Sequence, residues 1–286
     1  MDAELKNALQ ALRTHYDTSR ALDQDPLVLA MGYPEPWDRE LAAFVAAHLA
    51  YGRVAPMLRA IRSAMEPLGD WPAHRLRAWS EVEAERHLEE ALPDWKWRFH
   101  TRRDLVAWIL AWKRLDQESG LRGLEPHLLP GPELSADQAL SRLVQRLRKE
   151  LPPTHGLRFC LPDPLEGSAC KRWRLFLRWM VRRGWPDLGQ WTDYPPSSLV
   201  IPLDTHVARI SRLLGLTSRT ASDGRTAREI TEALRELEPQ DPLSYDFAIS
   251  HLGILGDCNG VAEPVRCSGC ALAGVCSGGY RSRSAR

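Results

Sequence analysis

The sequence predicts an all-α fold, on three observations. Apolar residues recur at three-to-four spacing over one segment after another. Proline-rich joints separate several of these segments, and neither two-residue alternation nor a hairpin turn signal interrupts them. The segments are 4–22, 38–65, 81–92, 103–115 and 136–151, with Pro34-Glu35-Pro36, Pro130-Gly131-Pro132 and Pro152-Pro153 among the joints. At 286 residues the chain can form one large or two modest domains.

Charge narrows the function. With 38 basic and 37 acidic residues, any affinity for nucleic acid must come from a local patch. Only five of the basic residues are lysines: Lys6, Lys96, Lys113, Lys149 and Lys171. No apolar stretch approaches the ~18–20 residues of a membrane span. The first helical segment carries mixed charge and no signal-peptide core. These features point to a cytoplasmic protein with no membrane partner, expected to be a monomer, ending in a basic tail.

Residues 171–183, "KRWRLFLRWMVRR", put Trp173, Phe176, Leu177 and Met180 on one side of a helix and Lys171, Arg174, Arg178 and Arg182 along the other. The charged side reads either as a phosphate-binding stripe or as the solvated face of a core helix.

Four of the six cysteines crowd into the C-terminal region as Cys258, Cys267, Cys270 and Cys276, with eight, two and five residues between them. Thiolates so spaced can converge on one metal centre. A 4Fe–4S cluster and zinc both accept four cysteines. The single CxxC favours the cluster, since zinc sites tend to use two such knuckles. Cys160 and Cys170 read as buried thiols.

In "LVIPLDTHVARISRLLGL" (199–216) an apolar run ends at Pro202, and a helical pattern of Val207, Ile210, Leu213 and Leu214 closes at Gly215. Asp204 is placed to cap that helix, and a carboxylate fixed there can also serve catalysis. His206 reads as a packed or cap-supporting residue.

These stretches resemble the endonuclease III-like, helix-hairpin-helix superfamily of base-excision DNA glycosylases. The cysteine run resembles that family's 4Fe–4S loop, with two extra residues in its first gap. "PLDTHVARISRLLGL" resembles the stretch in which a catalytic aspartate opens a helix, and Asp204 falls on that aspartate. "FAISHLGILGDC" (247–258) is similar to the helix leading into the cluster. "LEGSACK" (165–171) is similar to the hairpin pattern Leu-Pro-Gly-x-Gly-x-Lys. There Leu165, Gly167 and Lys171 are in register, with Glu166 for the proline and Ala169 for the second glycine. "FVAAHLAYGRVAPML" (44–58) looks distantly like the helix bearing a DNA-wedging residue, with Tyr51 or Arg53 near that place.

The resemblance runs from about residue 165 to 276. It implies a two-lobed fold. A central helical lobe spans 28–199 and includes a degenerate hairpin near 165–171. A second lobe joins 1–27 to 200–286. It also implies excision of a damaged base from duplex DNA, with Schiff-base β-elimination at the abasic site. Lys171 takes the place of the amine nucleophile, a role closed to arginine, which cannot be deprotonated. A helix N-terminus disfavours a cation and Arg172 repels one, so the position suits a neutral amine.

DNA contacts are expected from Gly167, Arg172, Arg174, Arg178, Tyr51, Arg53 and Arg266. The insert "GWPDLGQWTDYPPSS" (184–198) is reminiscent of the archaeal 8-oxoguanine glycosylase branch, and its Trp185, Trp191 and Tyr194 are candidates to stack on an everted base. The glutamate of the adenine-glycosylase branch has no counterpart near Ala46. The expected partner is double-stranded DNA carrying a damaged base or abasic site, at the nucleoid. A non-catalytic iron–sulfur DNA-binding protein is the alternative.

Overall fold

The computed structural model describes residues 3–278, and the basic tail beyond 278 lies outside them. Among the described residues the chain is helical nearly throughout, so the all-α class holds. No helix there is long and apolar enough to cross a membrane.

Two expected helices are broken, and both breaks have local causes. The segment 4–22 divides into Ala3–Tyr16 and Ser19–Leu22, because the Thr18 hydroxyl starts a new helix by accepting from the Ala21 amide at 3.4 Å. The segment 38–65 divides into Pro36–Leu49 and Val54–Met65 around Gly52, whose φ is +93°. A Cβ at Gly52 would also meet Arg98 Nη1 at 2.9 Å, a contact the flexible arginine can relieve, so the positive φ is what calls for glycine. Capping boxes at Ser80, Thr101 and Ser135 start the helices Glu81–Ala91, Arg102–Glu118 and Ala136–Glu150.

One expectation fails outright. Lys96–Trp97 pairs antiparallel with His100–Thr101, making a hairpin where none was expected. Two residues per strand are too few for alternation to show in the sequence, and Arg98 turns the chain at φ +54°.

The helix Pro36–Leu49 is almost wholly buried and forms the centre of the molecule. Its Phe44 stacks on Trp108 at 4.7 Å and meets Trp173 and Phe176 edge-on. The helix Lys171–Val181 packs against it. Elsewhere, both Ala3–Tyr16 and Thr205–Leu213 pack against Asp246–Ile254, which brings the N-terminal helix to the C-terminal segment. The buried apolar side chains form one contiguous core from Leu5 to Leu272.

Glu40 is the notable polar intruder in that core. Its carboxylate accepts from Trp112 Nε1 at 3.1 Å, Trp191 Nε1 at 2.8 Å and the Leu124 amide at 2.8 Å. Burial pushes its carboxyl up to about 7 even though these three donors act in the opposite direction. The folded state therefore binds this proton more tightly than the unfolded chain. The resulting stability is complete below the unfolded value and is lost as pH rises through about 7. Urea unfolding at pH 5 and pH 8 should show it: relative to Glu40→Gln, the wild type gains stability at the lower pH. A wild-type–variant difference that does not change with pH would rule the titration out.

Candidate active site

Lys171 reaches its place through a tight turn. Asp163 accepts from the Leu165 amide and from Ser141 Oγ, both at 2.9 Å, and fixes a single turn of 3-10 helix, Pro164–Glu166. Gly167 follows at φ +89°, and its carbonyl accepts from the Gly224 amide at 2.8 Å. Cys170 then takes a left-handed conformation, φ +48°, and Lys171 opens the next helix.

Across from it, Asp204 opens the helix Thr205–Leu213. Oδ1 accepts from the amides of His206 and Val207 at 2.9 and 2.8 Å, so the capping role holds. Oδ2 faces Lys171 Nζ at 3.5 Å. The two oxygens thus have separate partners, and the ion pair is partly open, with side-chain exposures of 34% for the lysine and 16% for the aspartate.

Both side chains line a cleft of about 720 Å³, together with Tyr51, Arg53, Arg178 and Asp246. The corner at Gly52 presents Tyr51 and Arg53 to the cleft. Tyr51 Oη lies 2.6 Å from His100 Nδ1, and His100 Nε2 lies 3.2 Å from Cys160 Sγ. Burial brings His100 down to about 4 and pushes the Cys160 thiol up to about 12. At neutral pH both are uncharged, so Tyr51 shares its hydrogen bond with a neutral imidazole and Cys160 is no nucleophile.

The basic stripe requires correction. Arg174 is buried, donating to the Ala169 carbonyl and to Asp137 Oδ1, both at 2.9 Å. Arg178, 1% exposed, donates from Nε to Asp187 at 3.1 Å and from Nη1 to Asp246 at 2.5 Å. Arg182 pairs with Asp187 and Asp241. Arg172 bends onto the helix His155–Cys160, donating to the Phe159 carbonyl with its guanidinium 3.5 Å from the ring centroid. Neither a phosphate-binding stripe nor a solvated face exists here. The helix is buried on both sides, and carboxylates from other segments neutralise Arg174, Arg178 and Arg182.

That network leaves two atoms over. Arg178 Nη2 and Asp246 Oδ1 are buried without a hydrogen-bond partner in side chains that line the cleft. Burial pushes the Asp246 carboxyl up to about 6, against the lowering effect of Arg178.

The aromatic insert is corrected as well. Trp191 and Tyr194 lie in the core, the indole spent on Glu40, and neither can stack on a base. Trp185 is 37% exposed and packs edge-on against Phe247, but it does not line the Lys171 cleft.

The four C-terminal thiols line one apolar cavity with Leu213, Leu214 and Leu272. Arg209 ties the loop down by donating to the Cys258 carbonyl at 2.7 Å, and the Ser277 amide donates to Leu213 O at 2.8 Å. Among the described residues no three ligating side chains close into a coordination sphere. All four cysteines nonetheless line the same cavity, and four thiols are a donor set that a 4Fe–4S cluster or zinc accepts. Arg266 pairs with Glu263 at 3.3 Å. Cys160 and Cys170 are buried, as expected.

Sequence reasoning missed Asp187, Asp241 and Asp246, the counter-ions of the arginines, and the 96–101 hairpin beside Tyr51. Burial of an acid by a distant arginine leaves no periodic trace.

A family model described as a protein of unknown function (DUF2400) matches residues 25–255, so the chain belongs to that family. The match takes in Lys171 and Asp204 and ends before the first clustered cysteine. No curated protein and no solved structure matches the chain.

Removing Arg178 strands Asp246 in the interior and leaves Asp187 to Arg182 alone. Arg178→Ala should cost about 3–5 kcal/mol in denaturant unfolding, against under about 0.5 kcal/mol for the exposed Arg53→Ala. Equal losses would mean that Arg178 is not the buried counter-ion.

Proposed function

We propose that this member of the DUF2400 family is a DNA repair enzyme that removes a damaged base and cleaves the abasic site by Schiff-base chemistry. The observation that carries the reading is the Lys171–Asp204 pair, 3.5 Å apart at the openings of two helices in a cleft of about 720 Å³. An amine beside a fixed carboxylate suits attack on a sugar carbon that becomes electron-poor as its base leaves.

Lys171 gives up the proton it holds in the ion pair, which passes to the departing base, and its freed amine attacks the anomeric carbon. The glycosidic bond breaks, and the departing base keeps its electron pair and takes up that proton. Asp204 Oδ2 stabilises the positive charge that builds on the sugar. Opening of the sugar ring gives an iminium. Loss of a proton from the adjacent carbon then expels the 3′ phosphate, and water releases the lysine. Arg178 Nη2 and Asp246 Oδ1 offer a donor and an acceptor, a complement to the mixed hydrogen-bonding edge of an everted base. Tyr51 and Arg53 line the same cleft and are suited to hold the distorted duplex.

The two-lobed helix-hairpin-helix arrangement belongs to this reading. The lysine helix packs on one group of helices, and the aspartate helix packs on another that includes the N-terminal helix. Cys258, Cys267, Cys270 and Cys276 would hold a 4Fe–4S cluster, which would staple the loop to the end of the aspartate helix. Bound iron with matching acid-labile sulfide supports this, and stoichiometric zinc would replace it.

Trapping with borohydride on an abasic-site duplex tests the chemistry. Wild type should form a covalent adduct that Lys171→Ala does not. Asp204→Asn keeps the capping oxygen and should react about 10²–10³-fold more slowly at an unchanged melting temperature. Tight duplex binding with no adduct would leave a non-catalytic DNA-binding protein.

A further inference from the structure

The hairpin that the sequence concealed stands beside the cleft and has no part in the chemistry above. Its turn is Arg98-Phe99, with Trp97 at the end of the first strand. The Phe99 ring lies parallel to Tyr51, with centroids 5.4 Å apart and planes within 11°. Phe159 meets both rings edge-on, at 4.6 Å from Phe99 and 5.0 Å from Tyr51. Arg98 sits 5.9 Å from the Tyr51 ring centroid. Because Gly52 lacks a Cβ, Trp97 and Arg98 close onto the corner that carries Arg53 into the cleft.

Two further facts point to a ligand. Trp97, Phe99, Phe159 and Tyr51 are only half-buried, so ring surface remains accessible beside the opening. Lys96, Arg98 and Arg53 are exposed, and among the described residues no carboxylate pairs with any of them. Unpaired cations interleaved with aromatic rings are the chemistry that binds single-stranded nucleic acid: the cations follow the phosphates and the rings take the bases.

We propose that Trp97, Arg98 and Phe99, with Tyr51 and Phe159, form a stacking platform for unpaired bases of a DNA strand entering the Lys171 cleft. The inference rests on the DNA reading above and extends it: the preferred substrate is DNA already unpaired beside its lesion, as in a bubble, a gap or a frayed end. A duplex with fully stacked flanks would leave the platform empty.

The test uses the full-length protein and an oligothymidine strand, with binding read by tryptophan fluorescence over a salt series. Wild type should bind the strand. Phe99→Ala should weaken binding about tenfold, and Phe99→Trp should restore it. Arg98→Glu, at an exposed position, should weaken binding and flatten its salt dependence. If wild type fails to bind the strand, or if Phe99→Ala and Arg98→Glu bind it equally well, the platform is overturned whatever the trapping result. If trapping fails while these variants still lose strand binding, the platform stands and the enzymatic reading falls.

Discussion

The site depends first on a group of charges that is largely withdrawn from water. Arg178 and Arg182 leave one helix and meet Asp187 of the following insert, Asp241, and Asp246 at the start of another helix. Isolated charges would not survive in that interior, so the partners must stay together. The consequence is geometric. Arg178 holds the lysine helix against the helix Asp246–Ile254, and the aspartate helix packs on the latter. The 3.5 Å between Lys171 and Asp204 is therefore set two turns away from Lys171, by an ion pair far better shielded than the one it positions.

The partly open pair and the buried pair do different things. Lys171 and Asp204 retain solvent contact, as the chemistry proposed for them would require. Asp204 resolves the conflict between rigidity and reactivity by dividing its oxygens, one accepting two backbone amides and the other left for the cleft. On the facing wall, Tyr51 is held by a neutral His100 through a 2.6 Å hydrogen bond, so orienting the ring adds no charge near the cleft.

What the sequence disclosed follows from locality. Helix periodicity, the Asp204 cap and the clustered cysteines are properties of short segments, and each was legible. The arginine helix was misread because Arg174, Arg178 and Arg182 fall at a spacing that looks like a surface face. Three of the carboxylates that neutralise them lie far off in the chain, at 137, 241 and 246, and the fourth, Asp187, stands just past the helix in the following segment. Trp191 was misread for the same reason, since its partner Glu40 is 151 residues away. The break at Gly52 was hidden because helical spacing resumes on both sides of it.

The cysteine loop acquires a role from where it is fastened. Ser277 closes onto the last residue of the aspartate helix, and Arg209, from the middle of that helix, grips the carbonyl of Cys258. The helix Thr205–Leu213 is short, so its capped end and its loop-bound end are only a few turns apart. A loop that can shift would let the whole helix tilt, and Asp204 would move with it. A group bound by all four thiols would close the loop on itself and remove that freedom. The cluster region can thus govern how firmly Asp204 is aimed at Lys171 while remaining outside the cleft, which none of the four cysteines lines.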